Sequence, residues 1–156
     1  MNHQCYYFAY GSNLNPSRLK SRTRTWDGQY KIARLKQHEL RFNMCVDTVA
    51  HAIRVGANIM PHPTRCVQGI LIRLDWNDLV EIDQYEGHPE LYQRIVCQVE
   101  TENCFGIEAF TYVAQSQWLK ENVLPSREYL EHIIQGALLC GLPCAYINAI
   151  RELGGG

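Results

Sequence analysis

A carboxylate, a glycine-opened turn and a tyrosine are the parts of this chain suited to chemistry on a small ligand. The stretch YFAYGSNL at residues 7–14 is an aromatic apolar run, Tyr7-Phe8-Ala9-Tyr10, that stops at Gly11-Ser12-Asn13. The run predicts a buried strand over residues 5–10, and the GSN triplet is turn chemistry. Gly11 has no Cβ, so a ligand can approach the main chain there. N–H groups converging at such a turn bind anions or carbonyl oxygens. Far along the chain, DQYEG at residues 83–87 brings Glu86 to the end of a predicted helix. A carboxylate there faces the unfavourable end of the helix dipole, and a ligand amine would account for it. From position alone, an exposed helix-end glutamate is the simpler reading. The loop alone is equally compatible with a strand-to-helix turn that holds nothing. Tyr129 falls in the first turn of the best-formed predicted helix, where a tyrosine ordinarily packs with its hydroxyl satisfied.

Other chemistries lack their signatures. The loop has neither the GxGxxG nor the GxxxxGK[ST] pattern of phosphate binders, and Ser12 is not in a GxSxG elbow. His51, His62 and His88 show no HExxH or HxH spacing, and the seven cysteines form no C-x-x-C pair. No metal and no organic cofactor is expected. Cys97 and Cys144 lie in apolar segments and read as buried free thiols. Net charge is −1, which gives no electrostatic reason for nucleic acid or an anionic membrane as partner. The basic residues from Arg18 to Arg24 read as a solvated loop face. No apolar run approaches the ~20 residues of a membrane span, and no secretory signal opens the chain, so a cytoplasmic protein is expected.

The elements that must position these groups follow from periodicity and punctuation. With 156 residues, 46% of them hydrophobic, the chain suits a single domain over residues 1–153, with glycines 154–156 as a flexible tail. Asn15 and Pro16 predict the cap and first turn of a short helix, and residues 18–28 look irregular. Residues 29–42 are extended, and Asn43, Gly56, Asn58, Pro61 and Pro63 imply short strands with loops over 43–63. Residues 68–74 form a strand, followed by a helix from about Asp78 to Tyr85, capped by Asp75 or Asn77 and stopped by Gly87. Residues 92–100 and 108–114 alternate as a hairpin. Residues 125–140 form a helix with Ser126 as cap and Tyr129, Leu130, Ile133, Ile134 and Leu138 along one side. A last helix covers 145–153. Trp26 and Trp118 read as partly buried packing residues. Strands outnumber helices and some join by hairpins, so the fold class is α+β, with a mixed, mainly antiparallel sheet able to close into a small barrel.

In order and spacing, YFAYGSNL at 7–14, VQGILIRL at 67–74, DQYEG at 83–87, the strand opening with Tyr92 and Arg94, Ala109 to Val113, PSREYL at 125–130 and the Gly-Leu-Pro of 141–143 resemble the γ-glutamylcyclotransferase family over almost the whole chain. The resemblance implies a small β-barrel of mixed strands flanked by helices, and a small-molecule γ-glutamyl substrate without a cofactor. The implied reaction is intramolecular aminolysis, in which the free α-amine attacks its own γ-carbonyl, 5-oxoproline closes and the attached amine leaves. By position, Glu86 corresponds to the family's acid/base glutamate. Tyr7, Phe8, Ala9, Tyr10, Gly11, Ser12 and Asn13 correspond to the loop that cradles the glutamyl group, and Tyr129 to a tyrosine that contacts the substrate. The YFAYGSNL form resembles the branch acting on γ-glutamyl amino acids more than the amine branch. The compact length also resembles small bacterial members, including one that deprotects a γ-glutamyl aminoglycoside of the butirosin type in antibiotic biosynthesis. A polycationic leaving group would want an acidic rim, for which Asp47, Glu90 and Glu121 are the candidates. The alternative is a module on the same scaffold that binds a γ-glutamyl ligand without turnover.

Overall fold

The protein is described here from a computed structural model over residues 3–47 and 53–156. Five strands, β1 (Gln4–Ala9), β2 (Lys31–Asp47), β3 (Ile53–Asp75), β4 (Tyr92–Val99) and β5 (Ile107–Ala114), lie in one sheet in the order β2-β3-β1-β5-β4. Every neighbouring pair is antiparallel except β1 with β5, which meet in parallel at Tyr7 and Phe110. The sheet curls until its two edges touch. Arg34 of β2 and Glu100, just past β4, exchange both main-chain hydrogen bonds at 2.8 and 3.0 Å. The α+β class and the curled, mostly antiparallel sheet thus agree with the sequence reading.

The region from 29 to 75 departs from it. In place of short strands, β2 and β3 are single long strands paired over most of their length; residues 48–52, and His51 with them, lie outside the described residues. The prolines are tolerated because β1 pairs with β3 only from Ile70 to Asp75, so Pro61 and Pro63 sit where β3 has one neighbour and their missing N–H groups cost no second ladder. Register shifts between Lys36 and His38 and between Arg41 and Met44 bend the hairpin, as bulges do, and let it wrap.

Among the described residues, four helices pack on the sheet and on one another. Helix α1 (Pro16–Arg22) occupies half of the stretch expected to be irregular; Asn15 Oδ1 accepts from Ser17 N at 3.0 Å, and Pro16 opens the first turn. Helix α2 (Trp76–Glu86) has Asp75 at its N-cap position, but without a side-chain cap bond. Helix α3 (Arg127–Cys140) is capped by Ser126 through Tyr129 N. Its buried face is Leu130, Ile133, Ile134, Ala137 and Cys140, while Leu138 is 47% exposed and not part of it. Cys144 opens helix α4 (Cys144–Leu153) and is exposed, unlike the buried thiol expected; burial pushes the Cys97 thiol up to about 12. Glycines 154–156 close α4: Gly154 is buried against Leu130, and Gly156 N donates to Arg151 O at 2.8 Å. Trp26 is buried and donates through Nε1 to Gln29 O, and Trp118 donates to Glu90 O.

Candidate active site

The strand β1 delivers its aromatic run to the interior and ends at Ala9, from which Tyr10 leads into Gly11. Residues Ser12–Leu14 form one 3-10 turn, with Leu14 N donating to Gly11 O at 3.0 Å. The N–H groups of Ser12 and Asn13 open this turn and have no partner within it, as at any helix start. Helix α3 holds the turn from behind. A Cβ on Gly136 would lie 2.6 Å from the main-chain N and Cα of Asn15, so only glycine allows this approach. Asn15 Nδ2 donates to His132 O at 3.2 Å, which ties the two together.

Glu86 arrives from the other side as the last residue of α2. Gly87, at φ 67°, ends the helix in the left-handed conformation that glycine favours, and its N–H caps Asp83 and Gln84 carbonyls. One turn before Glu86, Asp83 pins α2 to the sheet: Tyr112 Oη donates to Asp83 Oδ1 at 2.6 Å, and Arg94 pairs with Asp83 Oδ2. The side chain of Glu86 is 17% exposed. Asn13 Nδ2 donates to Glu86 Oε1 at 3.1 Å and to Tyr7 Oη at 3.0 Å. Burial pushes the Glu86 carboxyl above the usual carboxylate range, and the guanidinium charges of Arg22, Arg54 and Arg18 oppose that shift.

A cavity of about 30 Å³ is lined by Tyr7, Tyr10, Gly11, Ser12, Asn13 and Glu86, by Tyr129, and by Ala57, Tyr92 and Tyr112. Thus residues spread along the chain from Tyr7 to Tyr129 meet at one place. Phe8 and Ala9 do not line it. Both are core residues; Phe8 O accepts from Thr111 Oγ1 at 2.9 Å, and Ala9 O lies where a Cβ on Gly69 would intrude. Three lining residues, Ala57, Tyr92 and Tyr112, were not assigned to a site by the sequence reading; for Tyr92 and Tyr112 the available signal is a tyrosine at a strand position whose side chain turns inward. Ala57 had none.

The tyrosine hydroxyls divide by what they do with their protons. Tyr10 donates to Tyr112 O at 2.6 Å, Tyr92 to Ala57 O at 2.7 Å and Tyr112 to Asp83. Tyr7 only accepts, from Asn13 Nδ2, and Tyr129 only accepts, from Ala57 N at 3.0 Å. Their protons remain unspent among the described residues. Burial raises all five phenols above their ordinary value, so they stay neutral donors.

The charge around the cavity differs from the expected acidic rim. Asp47 and Glu90 are exposed, Glu121 pairs with Arg41, and none of the three lines the cavity. Basic residues flank Glu86 instead. Arg22, expected on a solvated face, is 15% exposed and has Nη1 4.0 Å from Glu86 Oε1.

Comparison with known proteins agrees with this architecture. A model described as the AIG2-like family matches residues 66–150. A bovine protein named gamma-glutamylcyclotransferase is 31% identical over 149 residues, spanning 94% of this chain and 77% of the bovine one. The human protein of the same name is 28% identical over the same shares. A solved structure titled gamma-glutamyl cyclotransferase superposes with a TM-score of 0.80 at 26% identity, covering 96% of this chain and 87% of the other. The chain belongs to the γ-glutamylcyclotransferase family of enzymes. No helix among the described residues is long and apolar enough to cross a membrane.

Proposed function

We propose that this chain cyclises a γ-glutamyl amide to 5-oxoproline and a free amine, with Glu86 as the acid/base. The observation that supports it most is a largely buried carboxylate sharing one cavity with the open N–H groups of the Gly11–Asn13 turn. An α-amine with a pKa of roughly 8 is mostly protonated at neutral pH and cannot attack. Glu86 takes a proton from it; the nitrogen lone pair then forms the bond to the γ-carbon, and the carbonyl π electrons move onto oxygen. As the tetrahedral species collapses, the oxygen lone pair re-forms the carbonyl, the bond to the leaving nitrogen breaks and Glu86 returns the proton there, while the ring nitrogen gives up its remaining extra proton to the released amine or to water. A carboxyl pKa raised by burial suits both transfers. Both reacting groups belong to one molecule, so holding the folded glutamyl conformer supplies much of the acceleration, up to ~7–11 kcal/mol in the best cases. The turn N–H groups and the unspent protons of Tyr7 and Tyr129 are suited to the oxyanion, each donor being worth roughly 3–4 kcal/mol when well aimed.

The leaving group proposed is an amino acid or peptide rather than an aminoglycoside. The support is the positive charge of Arg18, Arg22 and Arg54 near Glu86, which would repel a polycation and attract a leaving group that carries a carboxylate.

Mass spectrometry for 5-oxoproline tests both parts, with a γ-glutamyl amino acid, glutathione, a γ-glutamyl-lysine isopeptide and a γ-glutamyl aminoglycoside in competition. The amino acid or peptide substrates are expected to turn over fastest. Glu86→Gln is expected to bind substrate and release no product. Thermal stabilisation by these ligands without any product from the wild type would mean a binding module, and turnover by the Gln variant at the wild-type rate would remove Glu86 from its role.

A further inference from the structure

Two of the three side-chain contacts of Asn13 are with groups of fixed polarity, the third being the Tyr7 hydroxyl, which can donate or accept. Arg22 Nη1 donates to Asn13 Oδ1 at 2.8 Å, and a guanidinium can only donate. Asn13 Nδ2 donates to Glu86 Oε1, and an ionised carboxylate can only accept. The amide is therefore held in one orientation by an obligate donor on one side and an obligate acceptor on the other. With Arg22 removed, Oδ1 loses the donor that fixes it, and the amide is held only through Nδ2, by Glu86 and Tyr7.

Arg22 is itself held. It lies in the last turn of α1, with its guanidinium carbon 4.7 Å from the Tyr85 ring centroid. Tyr85 precedes Glu86 on α2, so the cation bridges the helix that carries the carboxylate and the loop that carries Asn13. Glu86 Oε1 is occupied by Asn13, and Oε2 takes no hydrogen bond from the described residues.

We propose that Arg22 is a positioning residue for the reaction: by fixing the Asn13 amide it holds Glu86 through Oε1 and leaves Oε2 for the substrate amine. This rests on the cyclisation reading above for its kinetic part only. The groups that face Glu86 are Arg22 and Arg18 on α1, Arg54 on β3, Tyr7 and Tyr10 at the end of β1, Tyr92 on β4, Tyr112 on β5 and Tyr129 on α3. Of these, Arg22 lies 4.0 Å from Glu86 Oε1 and also bonds Asn13, the residue that donates to that oxygen.

The test uses the full chain with Arg22→Met, Arg22→Lys, Asn13→Ala and the Arg22→Met/Asn13→Ala pair. In Arg22→Met, kcat is expected to fall with KM within a few-fold. The acid limb of the pH profile moves up, and on that limb kcat drops about tenfold per unit moved. Arg22→Lys is expected to recover part of the rate, and it serves if the Met variant does not fold. In the Asn13→Ala background the Met change should cost little more, because the two act through one contact. Carbon-13 titration of the Glu86 carboxyl, assigned by its loss in Glu86→Gln, should show the same upward move without any substrate. A raised KM with kcat intact would make Arg22 a substrate clamp and overturn the proposal. So would additive losses in the pair, or a folded Met variant whose Glu86 titrates as in the wild type. A wild type that yields no 5-oxoproline would end the cyclisation reading, and the titration would still decide the role of Arg22.

Discussion

Tyr129 and Tyr92 grip the same peptide unit with opposite polarity, which makes them a matched pair for mutation. Ala57 N donates to Tyr129 Oη at 3.0 Å, and Tyr92 Oη donates to Ala57 O at 2.7 Å. Either change to Phe deletes one buried hydrogen bond and leaves one main-chain group without its partner. Each should cost about 1–2 kcal/mol of stability. For a chain of this length that is a fall of about 2–8 °C in Tm. The ring contacts survive, including the edge-on packing of Phe42 on Tyr129 at 6.5 Å. Activity should separate the two. Tyr92 has spent its proton on the protein, so Tyr92→Phe should change kcat by about threefold or less, in line with a local stability loss. Tyr129 keeps its proton and faces the loop, its Oη being 4.0 Å from where a Cβ on Gly11 would stand. Losing an oxyanion donor costs about 10²–10³ in kcat, so Tyr129→Phe should lose at least the lower figure. Circular dichroism melts and initial rates of 5-oxoproline release on both variants provide the comparison. Equal kcat values in the two would show the Tyr129 hydroxyl to be a strut for Ala57 alone.

Glu86 should also leave a mark on stability. Burial raises its folded pKa above the unfolded value near ~4.3, so the native state holds the proton more tightly and wild-type stability falls as pH rises through that interval. Glu86→Gln should therefore melt higher than the wild type at pH 7 and close to it below about pH 4; a lower melt at pH 7 would contradict the burial argument. Asp78 has the opposite sign. Burial raises its pKa, but bonds from Thr25 Oγ1, Arg24 N and Thr25 N outweigh this and the net shift is downward. Its contribution is full above the unfolded value and lost as pH falls through the lower folded one, so Asp78→Asn should cost about 1.5–3 kcal/mol at pH 7 and less at pH 3, checked by urea melts at both. Gly136→Ala places a methyl 2.6 Å from Asn15 main-chain atoms and should cost about 1–3 kcal/mol by overpacking; it should also lower kcat, because the displaced main chain continues into the Gly11–Asn13 turn.

Much of the local structure was legible because its determinants are local. Asn15 and Pro16 start α1, Ser126 starts α3, and Gly87 stops α2 through a left-handed φ. The β4–β5 hairpin followed from alternation. Where the reading failed, the deciding interaction lay elsewhere in the chain. Pro61 and Pro63 looked like strand breakers, yet β3 continues through them because that half of the strand has a single neighbour. Residues 18–22 looked irregular, yet they form a helix whose Leu19 is fully buried. Leu138 fits a helical stripe by spacing, but α3 presents the Ala137 and Cys140 side to the core.

The candidate site shows the same division. Types and spacing made Glu86, the Gly11–Asn13 turn and Tyr129 candidates, since a glycine's lack of a side chain and a carboxylate's charge are properties of the residue, but their roles came from the resemblance to γ-glutamylcyclotransferases. Only the folded chain decided that Phe8 and Ala9 face the core, that Ala57, Tyr92 and Tyr112 share the cavity, and that Arg22 reaches Asn13. Those outcomes depend on which way a strand's alternate side chains turn and on how α1 and α2 pack against each other. Such contacts join residues tens of positions apart, and the spacing of residues along a strand or helix carries no record of them.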